Sequence, residues 1–379
     1  MNFLIKRSSF IKGLNKVSRA IANRTTIPIL SGVMIKANHQ GLILTGSDSN
    51  ISIQTSIKSS NRKNHLTVAS SGSIVVKARF FTNIIKKLPR EMMSMSVDDN
   101  FQVEIKSGHS SFKINGLDAS NYPHLPKINT DKSVTLPGKQ FKKIIRQTVI
   151  AVSDQESRPI LTGVHFALKN SRLLAVATDS HRLSQRKVVL SNNQADYDVI
   201  IPGQSLLELS RMIDKNSDVE MRLSSNQVLF IIGATSFYSR LLEGHYPDTS
   251  QLIPQDANTD VQFNTKKLLA AVERASLLSH ASRNNVIKMT LKPDQNNVAI
   301  TGNSPDVGDV EERLIPNQIS GKDLAISFNP DYMKDALSTL DADDVGIKFL
   351  SPLRPFTLIP ADDQKEKDFV QLITPVRTF

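Results

Sequence analysis

IPILSGVMI, residues 27–35, returns as RPILTGVHF at 158–166 and, more distantly, as RNNVIKMTL at 283–291. The stretches that follow also return: LILTGSDSNISI (42–53), LLAVATDSHRLS (173–184) and NVAITGNSPDVG (297–308). Asp48 to Asp179 spans 131 residues, and Asp179 to Ser304 spans 125. A third element keeps the register, each copy reading as a strand that runs into a helix: SIVVKARFFTNIIKKL (73–88), YDVIIPGQSLLELSRMI (197–213) and DLAISFNPDYMKDALSTL (323–340). Hairpin-like runs close the first two repeats at 101–126 and 226–254, both ending in a Tyr-Pro pair, Tyr122-Pro123 and Tyr246-Pro247. A period of this length is too long for a solenoid unit and is the size of a domain. It predicts three similar domains, 1–127, 128–254 and 255–379, bounded where proline and polar residues cluster. Each reads helix, strands, helix, strands, with short alternating β-branched strands such as SFKI. The expected class is α+β, helices on one face of antiparallel sheet.

The chain has 379 residues, 39% of them hydrophobic, enough to bury several cores. It contains no cysteine, which removes disulfides, thiolate metal sites and a cysteine nucleophile. MNFLIKRSSFIKGL lacks the apolar core of a signal peptide, and runs such as VLFII are far short of the ~18 residues of a spanning helix. A cytoplasmic protein with no membrane association is expected. The eight histidines lie in separate segments without paired ligand spacing, and no Walker sequence occurs, so no metal or other cofactor is expected.

ATDSHRLS (177–184) sets Asp179, Ser180 and His181 in a row. On an extended chain neighbours point to opposite faces, so Ser180 would face away from both. A catalytic triad needs serine and histidine within hydrogen-bond reach and the acid on the far ring nitrogen. A strand end entering a loop is the simpler reading, and no catalytic residue is assigned.

The net charge of +11 points to a polyanion. In SSFIKGLNKVSRAIAN, Phe10, Leu14, Val17 and Ile21 form one stripe. Lys12, Lys16 and Arg19 lie on the opposite face. In GKQFKKIIRQTVIAVS, Phe141, Ile145 and Val149 face inward, and Lys139, Lys142, Lys143 and Arg146 outward. In ARFFTNIIKKLPR, Lys86 lies among the exposed cations. The third repeat's first helix carries Lys266 and Lys267, whereas its second, PDYMKDALSTLDADD, is acidic. Solvated helix faces usually mix signs, because oppositely charged neighbours stabilise them. Faces carrying only cations fit phosphates, neutralised without reading bases. The few aromatics, with no tryptophan, argue for duplex rather than single-stranded nucleic acid.

Long stretches then match one family: NRTTIPILSG, GSDSNISI, VKARFFTNIIKKLP, NGLDASNYPHLP, IRQTVIAVSDQESRPILTGV, ATDSHRLS, YPDTSQLIPQD, ERASLLS with RNNV, and the tail QLITPVRTF. Over essentially its whole length the chain resembles the bacterial sliding clamps, the β subunits of DNA polymerase III, of low-GC Gram-positive type. The resemblance implies three domains of the DNA-clamp fold, helices inside and sheets outside. It also implies a head-to-tail homodimer forming a six-domain ring around double-stranded DNA. The implied function is non-catalytic: tethering the replicative DNA polymerase catalytic subunit, with a clamp loader and other repair and replication proteins as partners.

Carried over by position, DNA contacts would include Arg24, Gln155 and Arg158. A partner-peptide pocket would include Leu161, Thr178, Ser180, His181, Arg182, Leu183, Pro247 and Leu252. It would also include Asn329, Tyr332, Leu353, Leu372, Ile373, Pro375, Val376 and Arg377. The dimer contact would set Phe112 and Ile114 against Leu277 and Leu278, although core packing explains those four apolar residues equally well. Two features depart from the family: clamps of this kind are generally acidic overall, and PADDQKEKDFV (360–370) is longer and more charged. An accessory clamp with a restricted partner set is the alternative reading; a hydrolase using Ser180 and His181 and a DNA-binding protein that forms no ring are more remote.

Overall fold

The computed structural model describes residues 1–22, 25–126, 128, 133–190, 196–214, 216–280, 285–361 and 368–377. Among them are six α-helices: α1 (Arg7–Val17), α2 (Ala78–Lys87), α3 (Gly138–Thr148), α4 (Gly203–Ser210), α5 (Thr265–Ser279) and α6 (Pro330–Thr339). They fall two to each repeat. The chain divides into two compact units, Met1–Phe141 with Glu208–Leu241, and Lys142–Leu207 with Leu242–Phe379.

The first unit holds a five-stranded and an eight-stranded sheet. Two repeats build the larger one. Its strand Thr235–Arg240 pairs antiparallel with Ile51–Lys58, setting Phe237 opposite Ile53. The five-stranded sheet ends at the edge strand Ser110–Asn115. The second unit repeats this plan with a nine-stranded and a four-stranded sheet. Arg182–Val189 pairs with Phe369–Ile373, setting Ser184 opposite Gln371. The four-stranded sheet ends at the edge strand Gly308–Leu314.

The helix stripes pack as their spacing requires. Phe10, Leu14 and Val17 are fully buried, and Phe10 meets Phe81 of α2 edge to face at 5.9 Å. Ile21 is only half-buried, because α1 stops at Val17 and a 3-10 turn over Ser18–Ala20 buries Ala20 instead. Phe141 of α3 packs on Phe230, 5.6 Å between ring centres. Side chains close the helix starts: Asn264 accepts the Lys267 amide, and Asn329 accepts the Asp331 amide ahead of Pro330 at the first helical position.

Where α1 crosses its sheet, the approach is closer than a side chain permits. A Cβ on Gly46 would lie 2.2 Å from the Val17 carbonyl oxygen, which is backbone and cannot swing away. Gly46→Ala is therefore expected to cost about 3 kcal/mol, read as a lowered onset of thermal unfolding; an unchanged melting curve would contradict the packing described.

Candidate functional site

ATDSHRLS folds as a tight hairpin turn. Strand Arg172–Thr178 leads in, strand Arg182–Val189 leads out, and Ser180 takes a left-handed φ of 78° between them. This corrects the strand-alternation argument, since Ser180 belongs to no strand. The Asp179 carboxylate accepts the backbone amides of His181 and Arg182 at 2.8 and 2.9 Å and the Arg182 Nε at 3.0 Å. Those bonds hold the acid on the turn and on Arg182.

The turn forms one wall of a cavity of about 610 Å³ within the second unit. Eight residues of the expected pocket line it: Leu161, Thr178, Ser180, Arg182, Leu183, Pro247, Leu252 and Leu372. Val176, Leu183 and Leu372 form a small buried cluster beneath, with Tyr246 and Ile253 packed against it. The Tyr246 hydroxyl accepts the Thr178 amide at 2.9 Å, and burial pushes its phenol up to about 12. The cavity thus has an apolar floor and a rim of few polar groups, the usual make-up of a ligand pocket.

Arg158, carried over as a DNA contact, lines this cavity and donates to the Ser180 hydroxyl at 3.4 Å. Gln155 is exposed on the same loop. Pro159, Ile160, Pro355 and Thr374 also line the cavity and were not anticipated. The pair Pro159-Ile160 sits inside the repeated Pro-Ile-Leu motif (28–30 and 159–161), which is a signal that was there to be read.

The remaining pocket residues lie outside the cavity's lining. Tyr332 lies under the Arg182 guanidinium, 4.5 Å from ring centre to Cζ, and stacks near His181 at 6.4 Å. Arg182 is further held by Asp335 of α6. Asn329 is occupied as the α6 cap. Ile373 is buried in its strand. The last described segment, with Pro375 and Arg377, is tied by Thr374 N–H to the His181 carbonyl (2.9 Å) and Val376 N–H to the Ser327 carbonyl (2.7 Å). Leu353 is exposed.

The cationic helix faces are less uniform than the sequence implied. In the first unit Arg19 pairs with Glu208 of α4 at 3.3 Å. In the second, Lys143 and Arg146 of α3 bracket Asp341, just beyond α6. Partial burial pushes the Asp341 carboxyl up, but hydrogen bonds from Lys143 and Arg146 outweigh it and hold it below its ordinary value. The acidic last helix, an exception to the pattern, supplies Asp335 to Arg182, and the residues just after it supply Asp341 to the cations of α3. Lys12, Lys86, Lys139, Lys142, Lys266 and Lys267 have no carboxylate within ion-pair distance among the described residues, and all six are exposed. Lys16 donates to the Thr235 hydroxyl at 3.3 Å. Lys12 and Lys16 line a cleft of about 770 Å³ together with Lys6, Lys58, Lys63 and His65. Lys58 ends the strand Ile51–Lys58, and Lys63 and His65 belong to the 3-10 turn that follows it, where helical periodicity gives no warning. Arg24 lies outside the described residues, as does most of the charged 361–368 loop.

Phe112 and Leu277 are 39% and 71% exposed, and Ile114 and Leu278 are half-buried, so none of the four belongs to a buried core. Among the described residues no group of three or more His, Asp or Glu is placed to hold a metal, and no helix is long and apolar enough to cross a membrane.

Three repeats of paired helices on antiparallel sheet, with lysine-bearing first helices and an apolar pocket, define a DNA-clamp protein. The family models for the DNA polymerase III beta subunit match the chain at residues 1–126 (N-terminal domain), 135–248 (central domain) and 250–377 (C-terminal domain). The beta sliding clamp of Bacillus subtilis is 45% identical over 382 residues, covering all of both chains. The crystal structure of the Streptococcus pneumoniae DNA polymerase III beta chain superposes with a TM-score of 0.96 at 44% identity, again over the full length of both. That of the Bacillus subtilis clamp gives 0.96 at 45%, with the same coverage. The chain belongs to the DNA polymerase III beta subunit family, the beta sliding clamps. Its fold is the three-domain clamp fold, and its role is that of a non-catalytic processivity subunit. Full-length identity at this level does not favour the accessory-clamp reading.

Proposed function

We propose that two copies of this chain close head to tail into a ring around duplex DNA and tether the replicative polymerase to its template. The observation that carries this is the set of exposed lysines without carboxylate partners on the first helix of every repeat: Lys12, Lys139 with Lys142, and Lys266 with Lys267. Held against phosphates, they neutralise charge without fixing sequence, so the ring slides. Enclosure, not affinity, prevents escape, and a tethered polymerase stays at high effective concentration near the primer end. Gln155, Lys16, Lys86 and, where they are not occupied by Glu208 or Asp341, Arg19, Lys143 and Arg146 would add to the lining, as would Arg24.

The cavity beside Ser180 is the proposed seat for short apolar peptide segments of the polymerase, the clamp loader and other replication and repair proteins. Leu183, Leu252 and Leu372 supply apolar contact, and His181, Arg182 and Arg158 supply polar groups for the peptide backbone. The head-to-tail contact would bring Phe112 and Ile114 of one copy to Leu277 and Leu278 of the other. The three domains are taken as 1–127, 128–254 and 255–379, and the site of action as the cytoplasm.

The test is retention. Protein loaded on nicked circular DNA should survive gel filtration at moderate salt and be lost, nearly completely, once the circle is cut. Equal loss from circular and linear DNA would refute enclosure.

A further inference from the structure

We propose that the cleft beside α1 is a binding site for a short phosphoanhydride chain: inorganic polyphosphate or the tail of a nucleoside triphosphate. Every residue lining it belongs to the first compact unit of a single chain, so the site does not depend on ring closure.

The cleft measures about 770 Å³, within the usual size of a small-molecule site. Its ionisable lining is basic throughout: Lys6, Lys12, Lys16, Lys58, Lys63 and His65, with no aspartate or glutamate. Lys6 pairs with Glu91 at 2.6 Å, and Glu91 does not line the cleft. Lys12, Lys58 and Lys63 are exposed and have no carboxylate within ion-pair distance among the described residues. Cations gathered in one cleft repel one another, and a polyvalent anion relieves that repulsion. Lysines hold phosphate as point charges. No Phe, Tyr or Trp lines the cleft, so it offers no such platform on which a base could stack. What it can recognise is the phosphate chain itself.

The clamp fold does not impose this set of charges, as the second repeat shows. Strands Asn2–Lys6 and Ser133–Pro137, helices α1 and α3, and strands Ile51–Lys58 and Arg182–Val189 correspond at a spacing of 131 residues. At that spacing Lys6, Lys12, Lys16 and Lys58 give way to Pro137, Lys143, Gln147 and Val189. Lys143 alone keeps the charge, and Asp341 lies 3.1 Å from it. Lys63 and His65 sit in a longer connection. Residues 59–71 join Ile51–Lys58 to the next strand, Gly72–Lys77, whereas residues 190–196 join the corresponding pair, thirteen residues against seven.

The turn in that longer connection is fixed by its own bonds. The Asn61 side chain accepts the Lys63 amide at 3.2 Å, and the Asn64 side-chain amide donates to the Lys58 carbonyl at 3.0 Å. His65 closes the turn at a left-handed φ of 45°, which few residues other than glycine adopt. The backbone carrying Lys58, Lys63 and His65 is therefore set before a ligand arrives, which lowers the ordering cost of binding.

Lys12 and Lys16 are shared with the DNA-facing set proposed above, and Lys58 and Lys63 are not, so the test falls on the latter two. By isothermal titration calorimetry at moderate salt, the free protein should bind inorganic tripolyphosphate at one site per chain. Lys58→Gln with Lys63→Gln should weaken that binding at least about tenfold, since charged hydrogen bonds are lost. Lys36→Gln with Lys77→Gln removes two exposed lysines of the same unit outside the cleft and should leave affinity within about twofold. ATP should bind within about threefold of tripolyphosphate, because no base is read. Equal weakening by the two double variants would mean diffuse attraction and overturn the site, as would no binding of tripolyphosphate. ATP binding far tighter than tripolyphosphate would overturn recognition of the chain alone. Binding of a short thymidine oligonucleotide but not of tripolyphosphate would assign the cleft to the DNA lining and overturn the proposal.

Discussion

A chain carrying Leu277→Glu should behave as a folded monomer by light scattering and should be lost from circular DNA as readily as from linear. Leu277 is 71% exposed near the end of α5, while its neighbours Ala275, Ser276 and Ser279 are buried, so a carboxylate there leaves the core untouched. In the proposed dimer the same side chain is dehydrated against Phe112 and Ile114 of the second copy. An unpaired charge held there costs several kcal/mol, enough to weaken association by more than about 100-fold. The exposure separates two readings that the sequence left level, since a core leucine would instead have lowered the melting temperature. A dimer unchanged in size would reject Leu277 as an interface residue.

The second large effect is expected at the pocket. Leu252 lines the cavity yet is 49% exposed, so Leu252→Asp can be made without emptying the core. A carboxylate facing Leu183 and Leu372 should reduce capture of a short apolar clamp-binding peptide by at least about 30-fold, the loss expected at a central apolar contact. Retention on circular DNA should be unaffected, because enclosure does not use the pocket. Peptide affinity within twofold of the parent would show that the peptide seats elsewhere. Loss of retention as well would point to damage beyond the pocket.

Much of this was legible in the sequence because its signals are periodic or repeated. The stripe Phe10, Leu14 and Val17 follows from 3.6 residues per turn, and the three helix pairs follow from the repeat. What was not legible involves partners distant in sequence. Arg19 and Glu208 are 189 residues apart, and Arg146 and Asp341 are 195 apart. No local pattern says that these cations are already paired. The geometry of the Asp179 turn was also hidden, since a left-handed serine leaves no compositional trace. Resemblance supplied the pocket residues, but it could not say that Arg158 faces the cavity or that Asn329 is spent as a helix cap.

The middle repeat belongs half to one compact unit and half to the other, through the ladders at Thr235–Ser239 and Arg182–Arg186. Repeat boundaries and the boundaries of the compact units therefore do not coincide. Residues 128–254 expressed alone would bare two long strand borders at once and should precipitate. A protease able to nick the connectors would release no soluble central fragment.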